Sequence, residues 1–168
     1  PSDPPVSSLV RTERSEELKF LKASAHAAPV AVTDPPSQGS DRARQAAQEI
    51  FEEVRERYFR DFDFDYATEK LQQARDLNPR DVDVLALLAL AWQHSGNYPR
   101  IKKLFAESDA LASRLSEPER LKLDAARNVV MHGDHRAAQQ QAFKYLKLCP
   151  GDLLGQWLLA SAEGELGN

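Results

Sequence analysis

The chain is short of the residues that usually carry chemistry. Its one cysteine, Cys149, excludes an internal disulfide and suits a reducing compartment. Basic residues do not outnumber acidic ones, and a formal net charge of -4 gives no general attraction to nucleic acid. The only basic clusters, Arg42 with Arg44 and Arg100 with Lys102 and Lys103, are short and flanked by acids. No apolar run approaches the roughly 18 to 20 residues needed to span a bilayer. The N-terminus lacks the basic-then-apolar layout of a secretory signal, so cytoplasmic residence is the expectation. There is no glycine-rich phosphate loop and no nucleophile elbow. His132-Gly133-Asp134-His135 places two imidazoles beside a carboxylate, but a structural zinc site takes four ligands and no further cysteine or histidine is spaced to help. The expectation is therefore no catalytic residue, no cofactor and no metal, in a chain that is not an enzyme.

What the chain does have is a period. Small, aromatic and glycine residues recur at a spacing of 34 residues, first from Gln48 to Asp81 and again from Val82 to Leu115. In the first helix of each unit Phe51 matches Leu85, Val54 matches Leu88 and Tyr58 matches Trp92, the spacing of one apolar helix face. In the second helix Ala67 matches Ile101, Leu71 matches Phe105, Ala74 matches Ser108 and Leu77 matches Leu111. A third unit, Glu119 to Asp152, follows if Ser116-Glu117-Pro118 is an insertion. It sets Val129 against Trp92, Ala126 against Ala89, Gly133 against Gly96, Ala138 against Ile101 and Pro150 against Pro79. Leu153 onward begins a fourth unit, with Gly167-Asn168 at the turn. Units of this length cannot bury their apolar faces alone and must stack.

Gly96-Asn97-Tyr98, Ala67 with Ala74, Leu88-Ala89 with Trp92, Gly133-Asp134 with Ala138, and Asn78-Pro79 together resemble the tetratricopeptide repeat, over about 120 of the 168 residues. Phe62 at the first turn, Ser113 where proline is usual and Tyr145 where a small residue is usual depart from that pattern. The segment Leu115 to Arg120 also resembles part of the repeat tails of bacterial protein kinases and winged-helix regulators. The resemblance implies an all-α fold, a right-handed superhelical solenoid of antiparallel helix pairs with about three and a half repeats.

Local signals agree with the repeat register. Ser40-Asp41 reads as the cap of a first helix running to about Arg60. Ser116 with Glu119 has capping-box spacing, and Pro118 suits a first helical turn. Gly96 and Gly133 fall where a helix-helix turn calls for positive φ. Residues 1–39 hold six of the ten prolines and read as a linker or arm, with one short amphipathic helix around Leu18 and an extended stretch around Pro29. Residues 40–168 form the repeat domain. The chain begins at Pro1 without an initiating methionine and stops at a repeat turn, which predicts a piece of a longer chain.

The resemblance further implies a concave binding surface lined by the first helix of each unit. Here that surface would take Glu49, Glu52, Glu56 and Phe59 from the first unit, and Asp83, Leu87 and Leu90 from the second. Arg120, Leu123 and Arg127 would come from the third, and Trp157 from the last helix. A protein or peptide ligand with basic residues at one end and apolar anchors further along would complement it. One subclass of the family grips a C-terminal carboxylate with basic side chains. The matching positions here hold Glu52, Glu56, Leu87, Arg120 and Asp124, so such a ligand would meet repulsion. The expected function is a protein-protein interaction scaffold. The alternatives are a regulatory or sensory segment of a larger signalling protein, or a module that self-associates as a homodimer through Leu153, Leu154, Trp157, Leu158 and Leu159. No nucleic acid and no membrane is expected among its partners.

Overall fold

The computed structural model describes residues 38–167, and every regular element among them is helical. Seven α-helices follow in chain order: α1 (Gln38–Asp61), α2 (Phe64–Leu77), α3 (Val82–His94), α4 (Tyr98–Asp109), α5 (Glu117–Arg127), α6 (His135–Leu148) and α7 (Leu153–Leu166). A 3-10 turn, Ala112–Arg114, precedes α5, and a π-helical turn, Asn128–His132, continues it. The arm helix around Leu18 and the extended stretch around Pro29 lie outside the described residues.

The turns carry the period most clearly. Positive φ occurs at Phe62 (54°), Gly96 (67°), Gly133 (59°) and Gly167 (74°), the same column of each unit. At the first three of these the next residue is Asp63, Asn97 or Asp134, and it begins α2, α4 or α6. Asp63 accepts from the Tyr66 N–H at 3.2 Å and Asp134 from the Ala137 N–H at 3.0 Å. A left-handed residue thus reverses the chain, and at Asp63 and Asp134 a carboxylate then covers a free N–H of the next helix, whereas Asn97 makes no such side-chain bond. Asp81 and Asp152 cap α3 and α7 in the same manner.

Phe62 performs the glycine's task with a side chain that disfavours it. A bulky residue at φ 54° is strained, and its ring is 63% exposed, with an edge contact to Phe64 at 6.2 Å. Phe62→Gly is expected to raise the unfolding free energy by about 1 kcal/mol, read from the urea midpoint. A drop instead would mean that the ring contact outweighs the strain.

Burial follows the columns. Phe51 and Leu85, Val54 and Leu88, Tyr58 and Trp92, Ala67 and Ile101, Leu71 and Phe105, and Ala74 and Ser108 are buried pairwise. The last pair in the second helices fails: Leu77 is exposed, and Leu111 lies beyond α4, which stops at Asp109. At the other end of the chain α1 starts at Gln38, so Ser40 and Asp41 sit inside its first turn instead of capping it. The insertion before α5 is a helix start as expected, with Glu119 Oε2 accepting from the Ser116 N–H at 2.7 Å and from its hydroxyl at 2.6 Å.

The centre of the molecule is α3. Every residue from Val84 to Trp92 is buried, and so is Val82. A helix apolar all round needs neighbours on every side, and α3 packs against α1, α2, α4, α5 and the π-helical turn. Further along the chain α6 packs on α5 and α7.

Tyr145 on α6 fits because α7 lacks a side chain opposite it. A Cβ on Gly155 would stand 2.6 Å from Tyr145 Cε1 and 3.1 Å from Leu146 Cδ2. The large residue that departs from the repeat pattern is thus matched by a glycine in the next helix.

Candidate functional site

The residues expected to line a concave surface separate into three groups. Leu87, Leu90 and Leu123 are buried within the protein itself. A partner cannot touch them in this state: Leu87 and Leu90 lie on the enclosed α3, and Leu123 is on a buried position of α5. Glu49, Glu56 and Arg120 are exposed, while Glu52, Phe59, Asp83, Arg127 and Trp157 are half-buried.

The acidic ridge on α1 is largely paired along its own helix. Glu49 accepts from Gln45 at 3.1 Å, Glu52 accepts from Gln48 at 2.9 Å and meets Arg55, and Glu56 meets Arg60 at 3.1 Å. Exposed i,i+3 and i,i+4 pairs contribute about 0.3–0.5 kcal/mol each, so they hold the side chains only loosely and yield to a stronger partner.

Two of the expected residues meet across the fold. Trp157 of α7 lies 6.1 Å from Phe59 and 6.4 Å, edge-on, from Tyr58, both of α1. Tyr58 also packs edge-on against Phe64 at 5.4 Å, and Phe64 stacks on His94 at 3.9 Å with an 11° interplanar angle. Rings from α1, α2, α3 and α7 therefore form one seam, with ring spacings in the range where aromatic pairs add to simple area burial. Burial lowers the His94 pKa, which favours the neutral imidazole against Phe64. The Tyr58 hydroxyl is buried without a hydrogen-bond partner, and burial raises its pKa well above that of a free phenol. Within the described residues this seam is the accessible part of the expected surface where large apolar side chains gather.

Asp83, also expected on the binding surface, belongs to an ion-pair cluster. Its carboxylate bonds the Lys122 ammonium, which also donates to Asp152 at 2.9 Å and sits 4.8 Å from the centre of the Tyr145 ring. Lys122 is only 5% exposed, and it occupies the column of Phe51 and Leu85. Burial on its own would lower the lysine's pKa; Asp83, Tyr145 and Asp152 outweigh it, and the net shift is upward. For Asp152 burial acts to raise the pKa, while Lys122 and the Gly155 N–H bring it below the usual carboxylate value. One ammonium thus joins α3, α5, α6 and α7. The sequence offered no local sign of this, because a lysine in an apolar column reads as a surface residue.

Arg127 is likewise committed inside the fold. Its guanidinium pairs with Asp109, reaches the Phe105 carbonyl at 3.4 Å and lies 5.1 Å from the Phe105 ring centre, tying the last residue of α5 to α4. Of the residues expected to self-associate, Leu154 and Leu158 are buried, Trp157 and Leu159 are half-buried, and only Leu153 is largely exposed. In the columns filled by Leu85 and Trp92, α7 carries Gln156 and Glu163. Cys149 forms the C-cap of α6 and is half-buried. His132, Asp134 and His135 fall at the turn before α6, where Asp134 is occupied as the helix cap, and no cluster of metal-ligating residues occurs among the described residues. No described helix is long and apolar enough to cross a membrane. Compared with known proteins, the chain matches no family model, no curated protein and no solved structure.

Proposed function

We propose that the chain is a tetratricopeptide-like array of antiparallel helix pairs that works as a protein-interaction scaffold. The observation that carries this is the recurrence of a left-handed residue in one column, Phe62, Gly96, Gly133 and Gly167, with an Asp or Asn at the N-cap position after the first three. A turn repeated so regularly, with matching buried columns on either side, is what stacked helix pairs need. The binding surface in this proposal is the aromatic seam at Phe59 and Trp157 together with the α1 ridge of Glu49, Glu52 and Glu56. Its partner is a protein segment with basic residues and an apolar anchor. The weak pairing of the ridge glutamates leaves them free to exchange partners.

Affinity capture from source-cell lysate tests it, using the full chain and a Glu49→Lys, Glu56→Lys variant side by side. Both positions are exposed, so the fold should survive the change. A protein enriched by the native chain and lost with the variant is the expected result. Identical capture by both would remove the ridge from the binding surface.

A further inference from the structure

Away from the aromatic seam, α2 and α4 frame a pocket of about 170 Å³. It exists because α4 ends at Asp109, short of the column where α2 ends at Leu77, so Leu111 lies in a turn and leaves the gap unfilled. The floor is apolar: Leu85 of α3 and Leu104 of α4 are both buried. Ser108, beside them, donates its hydroxyl to the Phe105 carbonyl at 2.8 Å and offers no free donor to the pocket. The rim carries the charge. Arg75 pairs with Glu107 across the opening, and Arg80, on the turn after α2, is exposed and has no ion pair among the described residues.

Size and charge together restrict the occupant. A dry cavity of about 150 Å³ accepts a benzene-sized group, so one leucine- or phenylalanine-type side chain fits here. Among the lining residues Arg75 is paired with Glu107, which leaves Arg80 as the unpaired charge although the chain as a whole is acidic. Arg80 is a fork-shaped donor without a carboxylate, and the arginine-carboxylate pair is the strong form of that contact.

We propose that this pocket docks a short acidic segment of a partner protein, which inserts one branched or aromatic apolar side chain between α2 and α4 and pairs a flanking carboxylate with Arg80. None of the seam residues lines it, so this second interaction surface stands whether or not the first does.

The probe is an N-acetylated, C-amidated Asp-Glu-Leu-Asp peptide, titrated into the full chain and followed by amide chemical shifts. Saturable shifts are expected at Leu85, Leu104, Ser108 and Leu111. The Asn-Gln-Leu-Asn and Asp-Glu-Ala-Asp counterparts should bind about tenfold more weakly, since each lacks one half of the recognition. Arg80→Glu, at an exposed turn position, should also weaken binding about tenfold or more, whereas Arg80→Lys keeps part of it. Absence of saturation up to about 5 mM, a limit corresponding to only about 3 kcal/mol of binding, would overturn the proposal. So would equal binding by the Arg80→Glu chain, or shifts confined to the Phe59 and Trp157 seam.

Discussion

Lys122→Met is expected to lower the unfolding free energy by about 2–3 kcal/mol, measured by urea denaturation at pH 7. Removing the cation leaves Asp83 and Asp152 facing one another without a counter-charge, beside a ring that loses its ammonium. The loss falls short of the full cost of a broken buried pair because Asp83 and Asp152 keep side-chain exposures of 36% and 24%, and water screens part of the repulsion. A second change restores part of the stability if repulsion is the cause: Lys122→Met with Asp83→Asn should recover about 1 kcal/mol of it. If both variants are equally unstable, the lost ammonium contacts to Asp152 and the Tyr145 ring are responsible instead.

The same cluster sets the pH dependence. Asp152 has a folded pKa below its unfolded value, so its contribution is fully present above about pH 4 and is lost as pH falls through the folded pKa. Lys122 has a folded pKa above its unfolded value. Its contribution is complete below about pH 10 and disappears as pH rises through the folded pKa. The gap between native chain and Lys122→Met should therefore narrow below about pH 4 and hold steady through neutrality.

Gly155→Val is expected to cost about 3 kcal/mol, the upper range of overpacking. Even a methyl group there would meet Tyr145 at 2.6 Å, and that ring is not free to swing away, since it is buried and sits against the Lys122 ammonium. Helix propensity alone predicts the opposite sign, because leaving glycine inside a helix gains up to about 1 kcal/mol. Contact wins because the nearest atoms belong to an aromatic ring and not to a flexible chain end. Tyr145→Leu combined with Gly155→Val should recover more than half of the loss. Failure to recover it would place the strain at Leu146, 3.1 Å from the added carbon.

These two positions mark the boundary of what the sequence made legible. Helix pairs, turn columns and buried faces could be read from it, because each depends on residues close in the chain: Phe51 with Val54 and Tyr58, Gly96 with Asn97, Ser116 with Glu119. Lys122 could not, since its partners lie 39 and 30 residues away and give a charged residue its reason to be inside. Tyr145 read as a departure until Gly155 stood opposite it. Phe62 read as another, yet it adopts the glycine conformation of its column. The expected surface takes Glu49 and Glu56 from α1, where both face solvent. It was misjudged on α3, because periodicity names an apolar face but cannot say that every face of one helix is covered. Leu87 and Leu90 are buried for that reason.

The meeting of Trp157 with Tyr58 and Phe59 has a consequence for the order of folding. An open array can assemble from any starting unit, each helix pair needing only its neighbour. Here the first and last described helices also touch, through rings almost a hundred residues apart along the chain. Closing so long a loop is slow relative to pairing adjacent helices. The two tryptophans consequently act as clocks for different events: Trp92, inside α3, senses the early local pairing, and Trp157 senses the arrival of the C-terminal helix at the N-terminal one.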